Sequence, residues 1–345
     1  MIFIIILGIL ILVIGHEFGH FIAAKLLKMR VEEFGIGLPP RVLGKKVGET
    51  RYSFNALPLG GFVKIYGENE SKEEDKEAFL NKPFWQKIVV IFSGILANFL
   101  LGWFFFSFVF AVGMPKHLIV SQVIENSPAY NAGIQKGDMI EKITIGNVAL
   151  SDPISAESFV NLVKNSLEKE VILEVLRNKE KQTLSLTKRD FYSEEMGYLG
   201  MGVGEIGISK EPFLIAVWHG LQEAIIWVEL MFKALGMLIS NLFYNQNVLS
   251  ELTGPIGVVA FTSKAGSFGI IYIFQFLGLI SINLAVINIL PIPALDGGRF
   301  LFFLIEKIKG KKISFQLQNA LIGISFLLLL ILMIFVTLED IKRFF

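Results

Sequence analysis

His16-Glu17-Phe18-Gly19-His20 lies inside the apolar run that opens the chain, Met1 to about Leu27. Ionisable side chains are costly in such a run unless they are paired or bound to something. In an α-helix, residues four apart share a face, so the two imidazoles stand side by side and can hold one metal ion. Glu17 is one step along, close enough to act as a base on a water at that metal. About 20 apolar residues cross a bilayer core, so residues 1–27 are read as a first transmembrane helix. Its far end carries Lys25, Lys28 and Arg30, which places that end in the cytoplasm and Met1 outside. Met1 to Ile14 has neither a basic leading segment nor a small-residue cleavage site. It is therefore read as retained and not as a signal peptide.

Composition supports a membrane protein. The chain has 345 residues, of which 53% are hydrophobic and 18% charged; a soluble chain has about 45–50% and about 25%. The net charge of +1 suggests no polyanionic partner, so nucleic acid is not expected. The chain has no cysteine, so a transition metal must be held by His, Asp or Glu.

Outward from the first helix, residues 31–67 are rich in Gly, Pro and β-formers, as in Phe34-Gly35-Ile36-Gly37 and Asn55-Ala56-Leu57-Pro58-Leu59-Gly60-Gly61. Short strands between turn signals predict a β-hairpin region dipping toward the site from the cytoplasmic side. An ordinary cytoplasmic loop is the alternative. Residues 68–87 hold a charged cytoplasmic loop. Residues 88–112 are the second span and contain Gly94 and Asn98, four apart on one face; these read as helix-packing residues or as part of the site. Residues 115–208 are polar enough for an extramembrane α+β module. Residues 211–266 begin with an apolar stretch carrying His219, Glu223, Glu229 and Lys233, which suits an amphipathic interfacial helix better than a span. His219 and His117 receive no metal role. Residues 269–305 are the third span, 306–318 a Lys-rich cytoplasmic loop, and 319–339 the fourth span. The predicted fold class is thus a multi-pass α-helical membrane protein with four transmembrane helices, a membrane-associated hairpin region and an inserted extracytoplasmic module.

This topology brings Asp296, in an otherwise apolar segment, to the same cytoplasmic half of the membrane as His16 and His20. A catalytic zinc site needs three protein ligands and an open position. His16, His20 and Asp296 are the candidate set for Zn2+, with Glu17 the catalytic base that moves a proton from the attacking water to the leaving amine.

Two resemblances follow. Ser127-Pro128-Ala129 through Gly137-Asp138-Met139-Ile140 resembles a PDZ domain of the bacterial protease-associated kind. That resemblance makes Tyr198-Leu199-Gly200-Met201-Gly202 the peptide-binding loop and strand, and its ligand a peptide or protein C-terminus; a structural spacer is the competing reading. His16-Glu17-Phe18-Gly19-His20, Gly94-x-x-x-Asn98, the PDZ-like module and Asn288-x-x-Pro291-x-Pro293-x-Leu295-Asp296-Gly297 together resemble the site-2 protease family of intramembrane zinc metalloproteases. Within it they resemble the bacterial RseP-like branch (regulator of sigma-E protease), with one PDZ domain where that type often carries two. The resemblance extends to Leu252-Thr253-Gly254-Pro255-Ile256.

The family implies a zinc metalloendopeptidase that cuts single-pass transmembrane proteins, such as anti-sigma factor stubs or signal-peptide remnants, after a first cut elsewhere. It implies a place in the bacterial cytoplasmic (inner) membrane among its lipids. It also makes Asn283 and Asn288 candidates for holding the substrate's backbone and the hairpin region a partner for an unwound substrate helix; Asn55 of that hairpin and Asn98 of the second span are added as candidate substrate contacts. Three other classes were weighed: a metal transporter using the same side chains as a transit site, a non-catalytic membrane protein presenting the PDZ module, and an anchored peptidase cutting outside the bilayer.

Overall fold

The computed structural model describes residues 2–68, 75, 77–177, 180–189, 197–243, 254, 256–259 and 269–344. The chain divides into two compact units, Met1–Val109 with Phe213–Phe345, and Phe110–Pro212.

The first unit is built on long apolar helices. Among the described residues four are long and apolar enough to cross a membrane: Phe3–Leu26, Phe84–Val112, Ile270–Ile289 and Phe315–Lys342. They belong to α1 (Ile2–Leu26), α2 (Phe84–Val112), α6 (Ile270–Ile289) and α8 (Phe315–Phe344). The stretch read as interfacial begins with one helix, α5 (Phe213–Phe243), which is not among the four. Its remainder is described only at residue 254 and at 256–259, so Leu252, Thr253 and Pro255 lie outside the described residues.

Glycines set how closely the helices approach. A Cβ on Gly19 would sit 2.3 Å from the Ser93 carbonyl oxygen, and one on Gly15 would sit 2.4 Å from Leu101 Cδ1. The two glycines are four apart, so one face of α1 lies close against α2, on main chain at Gly19 and on the Leu101 side chain at Gly15. On α2, Gly102 meets α6 in the same way, with Ile282 Cδ1 at 2.6 Å from its built Cβ.

Between α1 and α2 run two long strands, β1 (Val31–Val47) and β2 (Thr50–Ile65). Their register breaks repeatedly, and the breaks fold them into four short segments. Val31–Ile36 lies between two parts of β2: Val31 pairs with Ile65 and Ile36 with Gly61 on one side, while Glu33 pairs with Arg51 and Ile36 with Phe54 on the other. The tip of β1 then returns along 50–55, with Arg41 opposite Asn55 and Val47 opposite Thr50. Residues 61–65 therefore form an outer edge, and among the described residues no other strand pairs with it. Val31 and Ile65 are anchored in a core with Ala24, Val90, Ile91 and Phe303, which fixes that edge against α1 and α2.

The span expected over 269–305 is two helices. α6 ends at Ile289, residues 290–295 are non-helical, and α7 (Asp296–Lys309) starts afresh. The cause is Pro291 and Pro293. Each lacks an N–H and pushes the preceding residue out of the helical region; Leu290 accordingly has φ −60° and ψ 142°. The carbonyls freed by this break need close neighbours. A Cβ on Gly297 would lie 2.1 Å from the Ile289 carbonyl oxygen, and one on Gly298 would lie 2.1 Å from that of Ile292. The glycine pair lets the first turn of α7 fold back onto these carbonyls. Gly297→Ala is expected to cost about 1–3 kcal/mol of stability through this overlap, read as a lowered thermal midpoint of the purified protein.

The second unit is a six-stranded sheet. Its strands are β3 (Met114–Val123), β4 (Met139–Ile145), β5 (Val148–Ser151), β6 (Glu170–Arg177), β7 (Glu180–Thr187) and β8 (Met201–Ile208). The order is β7-β6-β4-β3-β8, with β5 on β4. Two helices complete it, α3 (Pro128–Asn131) and α4 (Ala156–Asn165), capped by Ser127 and Ser155. Leu118, Ile140, Ile143, Leu173 and Phe159 centre its core. The Gly137-Asp138 pair has a clear local cause. Gly137 turns with φ +92°, and the buried Asp138 receives Arg177 Nε at 2.7 Å and Nη2 at 2.6 Å. That forked ion pair holds the Arg177 guanidinium above its usual pKa, chiefly through its hydrogen bond to Asp138.

Candidate metal centre

α1 carries His16 and His20 one turn apart, and α7 carries Asp296 in its first turn. Asp296 is 276 or more positions from either histidine in sequence, yet the three donors converge. His16 Nε2 is 3.1 Å from Asp296 Oδ2, His20 Nε2 is 3.3 Å from the same oxygen, and the two Nε2 atoms are 3.1 Å apart. The three side chains are 11–13% exposed.

These residues fit a zinc ion. Donors bound at 2.0–2.2 Å in a tetrahedral arrangement stand about 3.3 Å from one another, which matches the three distances. The protonation logic agrees. His20 Nδ1 is 2.7 Å from the Val90 carbonyl oxygen, so Nδ1 carries the proton and Nε2 presents a lone pair. Asp296 Oδ2 is buried with no hydrogen-bond donor among the described residues. His20 Nε2 and Asp296 Oδ2 thus turn lone pairs into one small space beside His16 Nε2, where a cation would sit. Among the described residues this is the one group of three or more His, Cys, Asp or Glu side chains whose donor atoms all lie within 4.8 Å.

α2 closes the back of the site. A Cβ on Gly94 would lie 2.4 Å from His20 Nε2 and 2.8 Å from His16 Cε1, so this glycine leaves the space that the two rings fill. Asn98 is 1% exposed, with its Nδ2 3.3 Å from His16 Nδ1.

The front opens into a cavity of about 320 Å³ lined by His16, Glu17 and His20, by Phe62, Val63 and Ile65 of the outer sheet edge, by Asn288, Asp296 and Arg299, and by Gln318 and Asn319 of α8. Glu17 is not in the donor group but faces the same cavity. Its Cγ would be 3.4 Å from a Cβ on Gly61, an ordinary contact distance that places the sheet edge beside the Glu17 side chain. Arg299, one turn after Asp296, pairs with Glu68 just beyond β2, tying the start of α7 to the end of that edge.

The other expected site residues are distributed differently. Asn288 lines the cavity and Asn283 does not; five residues apart on one helix, they point about 140° from each other. Asn55 spends its amide on its own sheet, donating to the carbonyls of Gly37 at 3.0 Å and Ile36 at 3.4 Å. Gly200 lies in the second unit, where its carbonyl accepts from Ile124 N–H and the Ser127 hydroxyl. Gly61, Val90 and Arg299 were not singled out from sequence. Arg299 carried a legible signal, an ionisable residue one turn from Asp296 in an apolar segment. A main-chain carbonyl such as that of Val90 carries none.

Comparison with known proteins agrees with this geometry. The family model described as peptidase family M50 matches residues 3–332. A Clostridium acetobutylicum protein named a zinc metalloprotease is 35% identical over 337 residues, covering 97% of this chain and 94% of its own. The regulator of sigma-W protease RasP of Bacillus subtilis is 28% identical, with 99% and 98% covered. A chloroplastic membrane metalloprotease homologue of Arabidopsis thaliana is 28% identical, with 95% and 77% covered. Three converging side chains able to hold a metal, four membrane-length helices and a family match along nearly the whole chain lead to one assignment: the chain belongs to peptidase family M50, the site-2 proteases, and is an intramembrane zinc metalloprotease.

Proposed function

We propose that this protease cuts single-pass membrane proteins inside their apolar segment, in the manner of the RseP-like branch, acting on anti-sigma factor stubs or signal-peptide remnants left by an earlier cut. His16, His20 and Asp296 would hold the zinc. The observation that carries the reading is the placement of Glu17 in one cavity with that three-donor centre and beside the outer strand edge. When bound, zinc lowers the pKa of a water and polarises the scissile carbonyl. Glu17 takes the proton of the attacking water and passes it to the leaving amine. A membrane helix hides its peptide bonds in its own hydrogen bonds, so it must be unwound first. Residues 61–65 supply main-chain groups to which the opened segment adds as a further strand. Asn288, in the same cavity, is suited to hold a substrate carbonyl or N–H.

The Lys-rich segments following the first and third spans support an extracytoplasmic N-terminus and a site in the cytoplasmic half of the bilayer. The second unit is proposed as a PDZ domain on the extracytoplasmic side. Its edge strand β8 follows the Gly200 turn and lies beside α4, where Glu205 accepts from Ala156 N–H at 2.7 Å. A peptide or C-terminus would add to β8 there.

The test uses the purified full chain and a single-span substrate in vesicles, with the cut mapped by mass spectrometry. A cut within the apolar segment is expected; cuts confined to the soluble flanks would overturn the reading. Phe62→Pro and Val63→Pro address the strand edge. Consecutive residues point their N–H groups to opposite sides, so one of these variants removes a donor facing the substrate. That variant is expected to slow cleavage about 10-fold, in line with one or two hydrogen bonds, while zinc content holds. Unchanged cleavage in both would remove the strand-addition step.

A further inference from the structure

Asn98 has a side chain that neither the metal donors nor the substrate edge explains. It is 1% exposed on an apolar helix. Its Nδ2 is 3.3 Å from His16 Nδ1, its Oδ1 is buried without a donor among the described residues, and its backbone carbonyl accepts from the Ser281 hydroxyl at 2.7 Å. A buried amide with one end unsatisfied is costly, so this orientation needs a reason.

The reason lies in the imidazole. Neutral histidine has one N–H and one lone pair. His16 Nε2 faces Asp296 Oδ2 and His20 Nε2, so binding a metal there puts the proton on Nδ1. Nδ1–H then needs an acceptor, and Nδ2 cannot be one. A half-turn about the last torsion of Asn98 exchanges Nδ2 and Oδ1 in place and aims a carbonyl oxygen at Nδ1–H. His20 has the matching arrangement already, with the Val90 carbonyl on its Nδ1. The two ligands differ only in whether a main-chain or a side-chain carbonyl does this.

We propose that Asn98 is a positioning residue for the metal centre: its Oδ1 accepts the Nδ1 proton of His16, fixing the tautomer and the ring plane so that Nε2 faces the zinc. This rests on His16 being a zinc ligand. The rival role is helix packing, through the carbonyl that Ser281 already uses.

The test measures zinc affinity of the full-length protein in detergent by chelator competition, beside its thermal midpoint. Asn98→Leu fills the same space without an acceptor and is expected to weaken zinc binding 10–100-fold. Asn98→Ala gives the same loss without crowding, should the leucine variant fail to fold. Asn98→Asp keeps an acceptor oxygen and is expected to bind at least as tightly as wild type. Ser281→Ala perturbs the packing contact and is expected to leave zinc affinity unchanged. The proposal is overturned if both the leucine and alanine variants bind within twofold of wild type, if aspartate loses as much as leucine, or if Ser281→Ala matches their loss. His16→Ala separates the two levels. If it binds zinc like wild type, the ligand assignment itself fails, whatever Asn98 does.

Discussion

Replacing Glu17 with glutamine is expected to leave zinc bound and to lower peptide cleavage by about 10²–10⁴-fold, the usual contribution of a positioned general base. Glutamine has the same size and shape but cannot take up a proton. Two observations separate the roles. Glu17 is outside the group of donors that converge on the metal position, and it lines the cavity they open into. It also sits beside Gly61 of the outer sheet edge, so an extended chain added to that edge would pass near its side chain. Zinc content is measured by elemental analysis and cleavage with the single-span substrate. Cleavage within 10-fold of wild type would place the base on another residue. A metal transporter built from the same ligands predicts the opposite pattern, with flux that tolerates the glutamine.

Much of this site can be read from sequence because its chemistry is expensive in its setting. Two histidines, a glutamate and an aspartate in apolar helices have few stable arrangements, and helical spacing alone puts His16 and His20 on one face. The basic residues after the first and third apolar runs gave Asp296 a matching depth. The spacing of Asn288, Pro291, Pro293 and Asp296 marked a break, but the third run still read as one span through residue 305. Hydropathy is insensitive to a six-residue interruption that stays apolar, while the backbone at Pro291 and Pro293 is not.

The long strands were harder. β1 pairs with two parts of β2, and register of that kind depends on bulges and glycines whose partners are distant in sequence. For the same reason the contacts of Asn55, in a glycine-rich and proline-rich stretch, were not legible: its Nδ2 donates to the carbonyls of Ile36 and Gly37 across the sheet. The second unit was legible through its turns, since Gly137 and Gly200 both require positive φ.

Gly94→Ala is the other substitution expected to have a large effect, and it adds only one methyl group. A Cβ at residue 94 would lie 2.4 Å from His20 Nε2, 2.5 Å from His20 Cε1 and 2.8 Å from His16 Cε1. Overlap of this kind is relieved cheaply only if the neighbour can move. His20 is held by the Val90 carbonyl from the same helix as Gly94, and His16 is held beside Asn98 one turn further along. Both rings must leave their places, and Nε2 is the atom that would bind zinc. The helix itself has no objection to alanine, which is about 1 kcal/mol better than glycine in a helix interior. Loss of zinc with the fold retained is therefore the expected outcome: affinity down at least 100-fold, cleavage lost with it, and the far-ultraviolet helical signal unchanged. The alternative reading of Gly94 as a contact between helices predicts another pattern, a lowered thermal midpoint with zinc affinity intact. Chelator competition beside a thermal melt distinguishes them, because the nearest atoms to the added methyl belong to the His20 and His16 rings and not to the backbone of a neighbouring helix.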